Sequence, residues 1–138
     1  MTAPEVLVDT SVAIALVVRG HEAHDRTMDA LDGQLLGLAG HAWFETFSVL
    51  TRLPPPVRRP PGEVVGILED NFPGSRFLSE ETAAELTTRL SEMGISGGGV
   101  YDALVGHTAV AHGLPLATRD RRAVAVYRSL GAAIELLT

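Results

Sequence analysis

Short, mostly apolar runs, each followed by a segment with helical spacing, set the fold of this 138-residue chain. Val6-Leu7-Val8, Leu35 to Ala39, Arg76-Phe77-Leu78, Leu114 to Ala117 and Ala133 to Leu137 read as strands. Helical periodicity covers Val12 to Val18, His21 to Leu31, His41 to Leu53, Glu63 to Phe72, Glu80 to Met93, Val100 to His112 and Asp120 to Leu130. Thr10, Ser11 and Ser79 supply caps, and Gly33 and Pro54 supply stops. Apolar strands alternating with helices predict an α/β fold of three layers, α/β/α, around a parallel sheet of about four or five strands. The length fits a single domain over residues 1–138. Pro54 to Gly62 lacks the donors for regular structure and reads as a stiff connector inside that domain, ahead of the rarer reading as a polyproline ligand.

Composition narrows the chemistry. Hydrophobic residues make up 46% and charged residues 20%, yet no run reaches the roughly 18–20 apolar residues of a membrane span. No basic start leads into an apolar segment, so no secretory signal is read and cytoplasmic residence is expected. The absence of cysteine removes disulfides, thiolate zinc sites and thiol nucleophiles, leaving oxygen or imidazole to hold any metal. A net charge of -6 argues against diffuse attraction to nucleic acid. All 11 basic residues are nevertheless arginine, clustered at Arg58-Arg59 and at Arg119, Arg121 and Arg122. Guanidinium groups bind phosphate bidentately, so the second cluster is a candidate phosphate contact, although coding bias explains an all-arginine set more simply.

Ligands of parallel α/β sheets bind beyond the carboxyl ends of the strands. Asp9 follows the first strand directly, and Asp120 follows the strand ending at Ala117. Glu45 and Asp102 fall near the starts of helices that face the same edge, and Asp102 sits among Ala103, Leu104, Val105, Ala109 and Val110. A carboxylate in such surroundings is costly unless paired or metal-bound. Taken singly, Asp9, Ser11, Asp102 and Asp120 read as helix caps or dipole partners and Glu45 as a solvated charge. Taken together, four crowded carboxylates repel unless a divalent cation neutralises them, and oxygen donors suit Mg²⁺ or Mn²⁺. His41 and Glu45 have helical spacing, but no histidine carries a catalytic assignment. Gly97-Gly98-Gly99 lacks the strand and lysine of a phosphate loop and reads as spacing before the Asp102 helix.

Val8-Asp9-Thr10-Ser11, Glu45, Tyr101-Asp102-Ala103-Leu104-Val105 and Leu116-Ala117-Thr118-Arg119-Asp120 together resemble PIN-domain ribonucleases, specifically VapC-type toxins of bacterial toxin-antitoxin pairs. The resemblance spans nearly the whole chain. It implies a Rossmann-like sheet, Mg²⁺- or Mn²⁺-dependent endoribonuclease activity, a homodimer, and a small antitoxin that inhibits the toxin in a heterotetramer or larger assembly. It also implies that Asp9, Glu45, Asp102 and Asp120 are the catalytic, metal-binding acids, with Ser11 and Thr118 as supporting hydroxyls. Relatives often place an aromatic three or four residues beyond the last acid, where this chain has Ala123 and Val124.

Two other classes compete. In an aspartate-based phosphotransfer enzyme Asp9 is itself the nucleophile. Such proteins resemble this one in the Asp after a strand but typically use a lysine, and this chain has none. A non-catalytic binding module keeps the fold as a scaffold, against which the retention of all four acids speaks.

Overall fold

The computed structural model describes residues 2–138. Four strands, β1 (Glu5–Val8), β2 (Leu35–Leu38), β3 (Leu116–Thr118) and β4 (Ile134–Leu136), form one parallel sheet in the order β2-β1-β3-β4. Val8 pairs with Leu38 on one side and Ala117 on the other, which aligns the carboxyl ends of β2, β1 and β3. Helices α1 (Thr10–Val17) and α2 (His24–Ala30) connect β1 to β2; α3 (His41–Arg52), α4 (Pro61–Asn71), α5 (Glu80–Met93) and α6 (Gly99–His112) connect β2 to β3; α7 (Val124–Ser129) connects β3 to β4. Parallel crossovers are right-handed, so connections leaving β1 and β3 in opposite directions place helices on opposite faces. Val6, Leu7, Val8, Leu116 and Ala117 are accordingly all but inaccessible.

The expected strand at Arg76–Leu78 is reduced to one parallel bridge between Ala39 and Arg76. Gly74 N and Arg76 N donate to the carbonyls of Leu36 and Leu38 at 2.9 and 3.1 Å, and Arg76 O accepts from Gly40 N at 2.8 Å. Pairing then ends, because Phe77 turns outward and Ser79 already caps α5. The contact depends on glycine: a Cβ on Gly37 would collide with the Gly74 carbonyl. Helix α2 begins at His24 rather than His21, because the His21 carbonyl accepts from His24 N and its Nδ1 from Ala23 N in a turn. Helix α7 begins at Val124 rather than Asp120, since Asp120 Oδ1 accepts from Arg122 N and holds residues 120–122 in a side-chain turn.

Two features of the connections set the site. The cap of α3 is Gly40, at a φ of 52°, where an added Cβ would strike Thr108 of α6. This close approach locks α3, which carries Glu45, against α6, which carries Asp102. Among the described residues, no helix is long and apolar enough to cross a membrane.

Candidate active site

Between β1 and β3 the connections diverge, leaving the crevice where parallel α/β proteins bind ligands. Asp9 occupies it as the N-cap of α1. Its residue exposure is 4%, and both carboxylate oxygens are fully engaged. Oδ1 accepts from Ser11 Oγ at 2.6 Å and Val12 N at 3.3 Å; Oδ2 accepts from Thr118 Oγ1 at 2.5 Å and Tyr127 Oη at 2.9 Å. Capping and site-building are therefore one arrangement. Ser11 Oγ also accepts from Arg119 N, and Thr118 Oγ1 from Asp120 N, so each expected hydroxyl ties the end of β1 to the loop after β3.

Asp9, Glu45, Asp102 and Asp120 line one small cavity of about 70 Å³ with Thr10, Ser11, Val105, Arg122 and Tyr127. The space suits an ion with a few waters and is far too small for a nucleotide. Burial pushes the Asp9 carboxyl above its usual range despite its four donors. Glu45 is raised as well, first by burial and further by Asp102 and Asp9, with His41 opposing. Two carboxyls that resist ionisation in one cavity are what an electropositive ion would relieve.

A cationic group already stands there. Arg122 Nη1 lies 3.3 Å from Asp102 Oδ2, and Nη2 lies 3.0 Å from Asp120 Oδ2. The flanking carboxylates hold the guanidinium above its already high pKa. Among the described residues, no three acidic or imidazole groups stand together as a ready-made metal site. The oxygen-only donor set fits a hard cation in its chemistry.

The three candidate arginines separate. Arg122 enters the cavity wall, Arg119 contributes its backbone N–H while its Nε is buried without a partner, and Arg121 is exposed outside the cavity lining. Sequence reasoning missed Tyr127, which lines the same cavity and donates to Asp9. It sits seven residues beyond Asp120, one helical turn after the Ala123 and Val124 positions, and is 2% exposed. Burial and the adjacent Asp9 push its phenol far up, so it remains a hydrogen-bond donor. Its only sequence signal is a phenolic tip in an otherwise apolar helical turn.

The fold and its acid-lined switch point are those of a PIN-like α/β domain, and the PIN domain family model matches residues 6–129: the chain belongs to that family. Its similarity runs to the VapC branch. The chain is 44% identical to ribonuclease VapC27 of Mycobacterium tuberculosis across 93% of each chain. It is 45% identical to ribonuclease VapC40 of the same species across 94% of this chain and 97% of that one. In fold it is similar to VapBC2 from Rickettsia felis, solved bound to a promoter DNA fragment, with a TM-score of 0.68 at 13% identity over 97% of this chain and 99% of that one. PAE2754 from Pyrobaculum aerophilum gives a TM-score of 0.57 at 22% identity over 97% and 92%.

Proposed function

We propose that this chain is an Mg²⁺- or Mn²⁺-dependent endoribonuclease, the toxin of a toxin-antitoxin pair, working in the cytoplasm as one domain over residues 1–138. The observation that carries the reading is the convergence of Asp9, Glu45, Asp102 and Asp120 on one small cavity at the switch point. Identity near 44% to proteins named ribonuclease VapC supports the activity class. A divalent ion held there supplies charge to a phosphoryl oxygen and lowers the pKa of a bound water.

The chain's own residues divide the remaining work. Asp102 and Asp120, with 16% and 32% of their side-chain surface exposed, present oxygens at the cavity mouth and would hold the ion directly. Asp9 would join them when one of its hydroxyl donors turns away, while Ser11, Thr118 and Tyr127 fix its orientation. Glu45, paired with His41 at 3.7 Å, would accept a proton from attacking water, its carboxyl raised above the usual range by burial. Nucleophilic catalysis by Asp9 is disfavoured, since the chain has no lysine to stand beside a phosphoryl group.

Cleavage of RNA by the purified protein is expected to stop in EDTA and return with Mg²⁺ or Mn²⁺; equal cleavage in chelator rejects the metal reading. The proposed partners are an RNA substrate, a second copy in a homodimer, and a small antitoxin that completes a heterotetramer or larger assembly. Co-expression with the neighbouring small open reading frame is expected to yield a co-purifying, inactive complex. An active toxin that leaves its neighbour behind rejects the pairing.

A further inference from the structure

Gly106 stands in the middle of α6, where glycine weakens a helix relative to alanine. The packing explains its presence. A Cβ there would lie 3.0 Å from Tyr127 Cδ1, 3.3 Å from Tyr127 Cα and 3.4 Å from Leu130 Cδ1, so the neighbours would have to give way. Helix α6 therefore rests directly on the Tyr127 ring of α7. The mid-helix glycine of α4 makes no such contact: a Cβ added at Gly66 meets nothing within 4 Å.

Both ends of this contact run to the acidic cavity. Asp102 precedes Gly106 by four residues, one turn back on the same side of α6. At its other end the Tyr127 ring carries the hydroxyl that donates to Asp9 Oδ2 at 2.9 Å. The ring is rigid, and Tyr127 is 2% exposed and lines the cavity. With α6 against its edge and Asp9 on its hydroxyl, it acts as a strut between the two acids. The cavity they share is about 70 Å³. Mg²⁺ demands near-octahedral oxygens at about 2.0–2.1 Å, whereas Ca²⁺ accepts flexible arrangements at about 2.3–2.6 Å. A few tenths of an ångström between ligands separate the two ions.

We infer that Tyr127, seated on Gly106, is a positioning residue that fixes the separation of Asp9 and Asp102 and thereby fits the cavity to the smaller divalent ion. The inference rests on the metal-dependent reading and adds the residue pair that sets the size of the ion.

Mg²⁺ and Ca²⁺ binding to the purified protein, measured by calorimetry, tests this. The unaltered protein is expected to prefer Mg²⁺. Gly106→Ala is expected to narrow that preference by at least about 10-fold, because the new methyl group drives α6, and Asp102 with it, away from Tyr127. Tyr127→Phe keeps the ring on Gly106 and loses one hydrogen bond to Asp9, so both ions should weaken alike, by about 10-fold, at an unchanged preference. Gly66→Ala should alter the binding of neither. If thermal melts show Gly106→Ala to be unfolded, Tyr127→Leu, which removes the ring, is expected to lose the preference in its place. A folded Gly106→Ala that keeps the preference of the unaltered protein overturns the spacing role and leaves metal dependence standing. A preference lost equally in Tyr127→Phe assigns it to the hydroxyl and also overturns the strut, as does an unaltered protein that takes both ions equally. Failure of the unaltered protein to bind either ion overturns both readings.

Discussion

Asp102→Asn is expected to reduce RNA cleavage by at least about 100-fold, beyond the 10–100-fold typical of residues that only support a ligand. The amide keeps the shape and removes the charge at the one acid that α6 carries into the cavity. Asp9→Asn is expected to be equally inactive, but the two variants should differ in stability. Burial raises the Asp9 carboxyl above its usual value of 3.8, so folding favours its neutral form more than the unfolded chain does. Ionised Asp9 therefore opposes folding: no penalty exists below the unfolded value, and stability is lost as pH rises through and above it toward the folded value. Asp9→Asn should match or exceed the unaltered protein in Tm at neutral pH, with the difference shrinking below about pH 4. Thermal melts across pH decide this. A Tm deficit of Asp9→Asn that is the same at all pH values would mean that the four hydrogen bonds outweigh the buried charge. Full RNA cleavage by both variants would remove these acids from the active site altogether.

Asp9 was legible because a buried parallel strand must end somewhere, and an acid at that end followed by Thr10 and Ser11 has few structural alternatives. The arrangement of its donors was not. Tyr127 reaches Asp9 across 118 residues of chain, and no local spacing encodes a hydrogen bond made by an α7 side chain to the end of β1. Five strand segments were readable from hydrophobicity, yet Arg76–Leu78 forms only a bridge because the cap of α5 follows too soon. Its attachment depends on Gly37 lying against Gly74, a pairing visible only once β2 is placed. Arg119, Arg121 and Arg122 were indistinguishable as a basic cluster. The Asp120 turn separates them, directing Arg122 back over the acids and leaving Arg121 outside.

Arg122→Gln is expected to change two measurements in opposite directions. Its guanidinium bridges Asp102 and Asp120 in the cavity, so a divalent ion that uses those oxygens must displace it. Removing the charge removes the competitor, and Mn²⁺ affinity measured by calorimetry should rise several-fold. Once displaced, the guanidinium stands at the mouth of the cavity, where its planar donors can take a phosphate bidentately. The same variant should therefore show a higher KM for RNA, with less effect on kcat. Arg122→Lys should restore the competition with the ion better than the phosphate contact, because a compact ammonium keeps the charge and loses the fork. Mn²⁺ affinity that stays constant or falls in Arg122→Gln would show that Arg122 supports the acids in their metal-binding arrangement instead of occupying it. A divalent ion and an arginine that share two carboxylates cannot both hold them, so the sign of that one change decides which role Arg122 has.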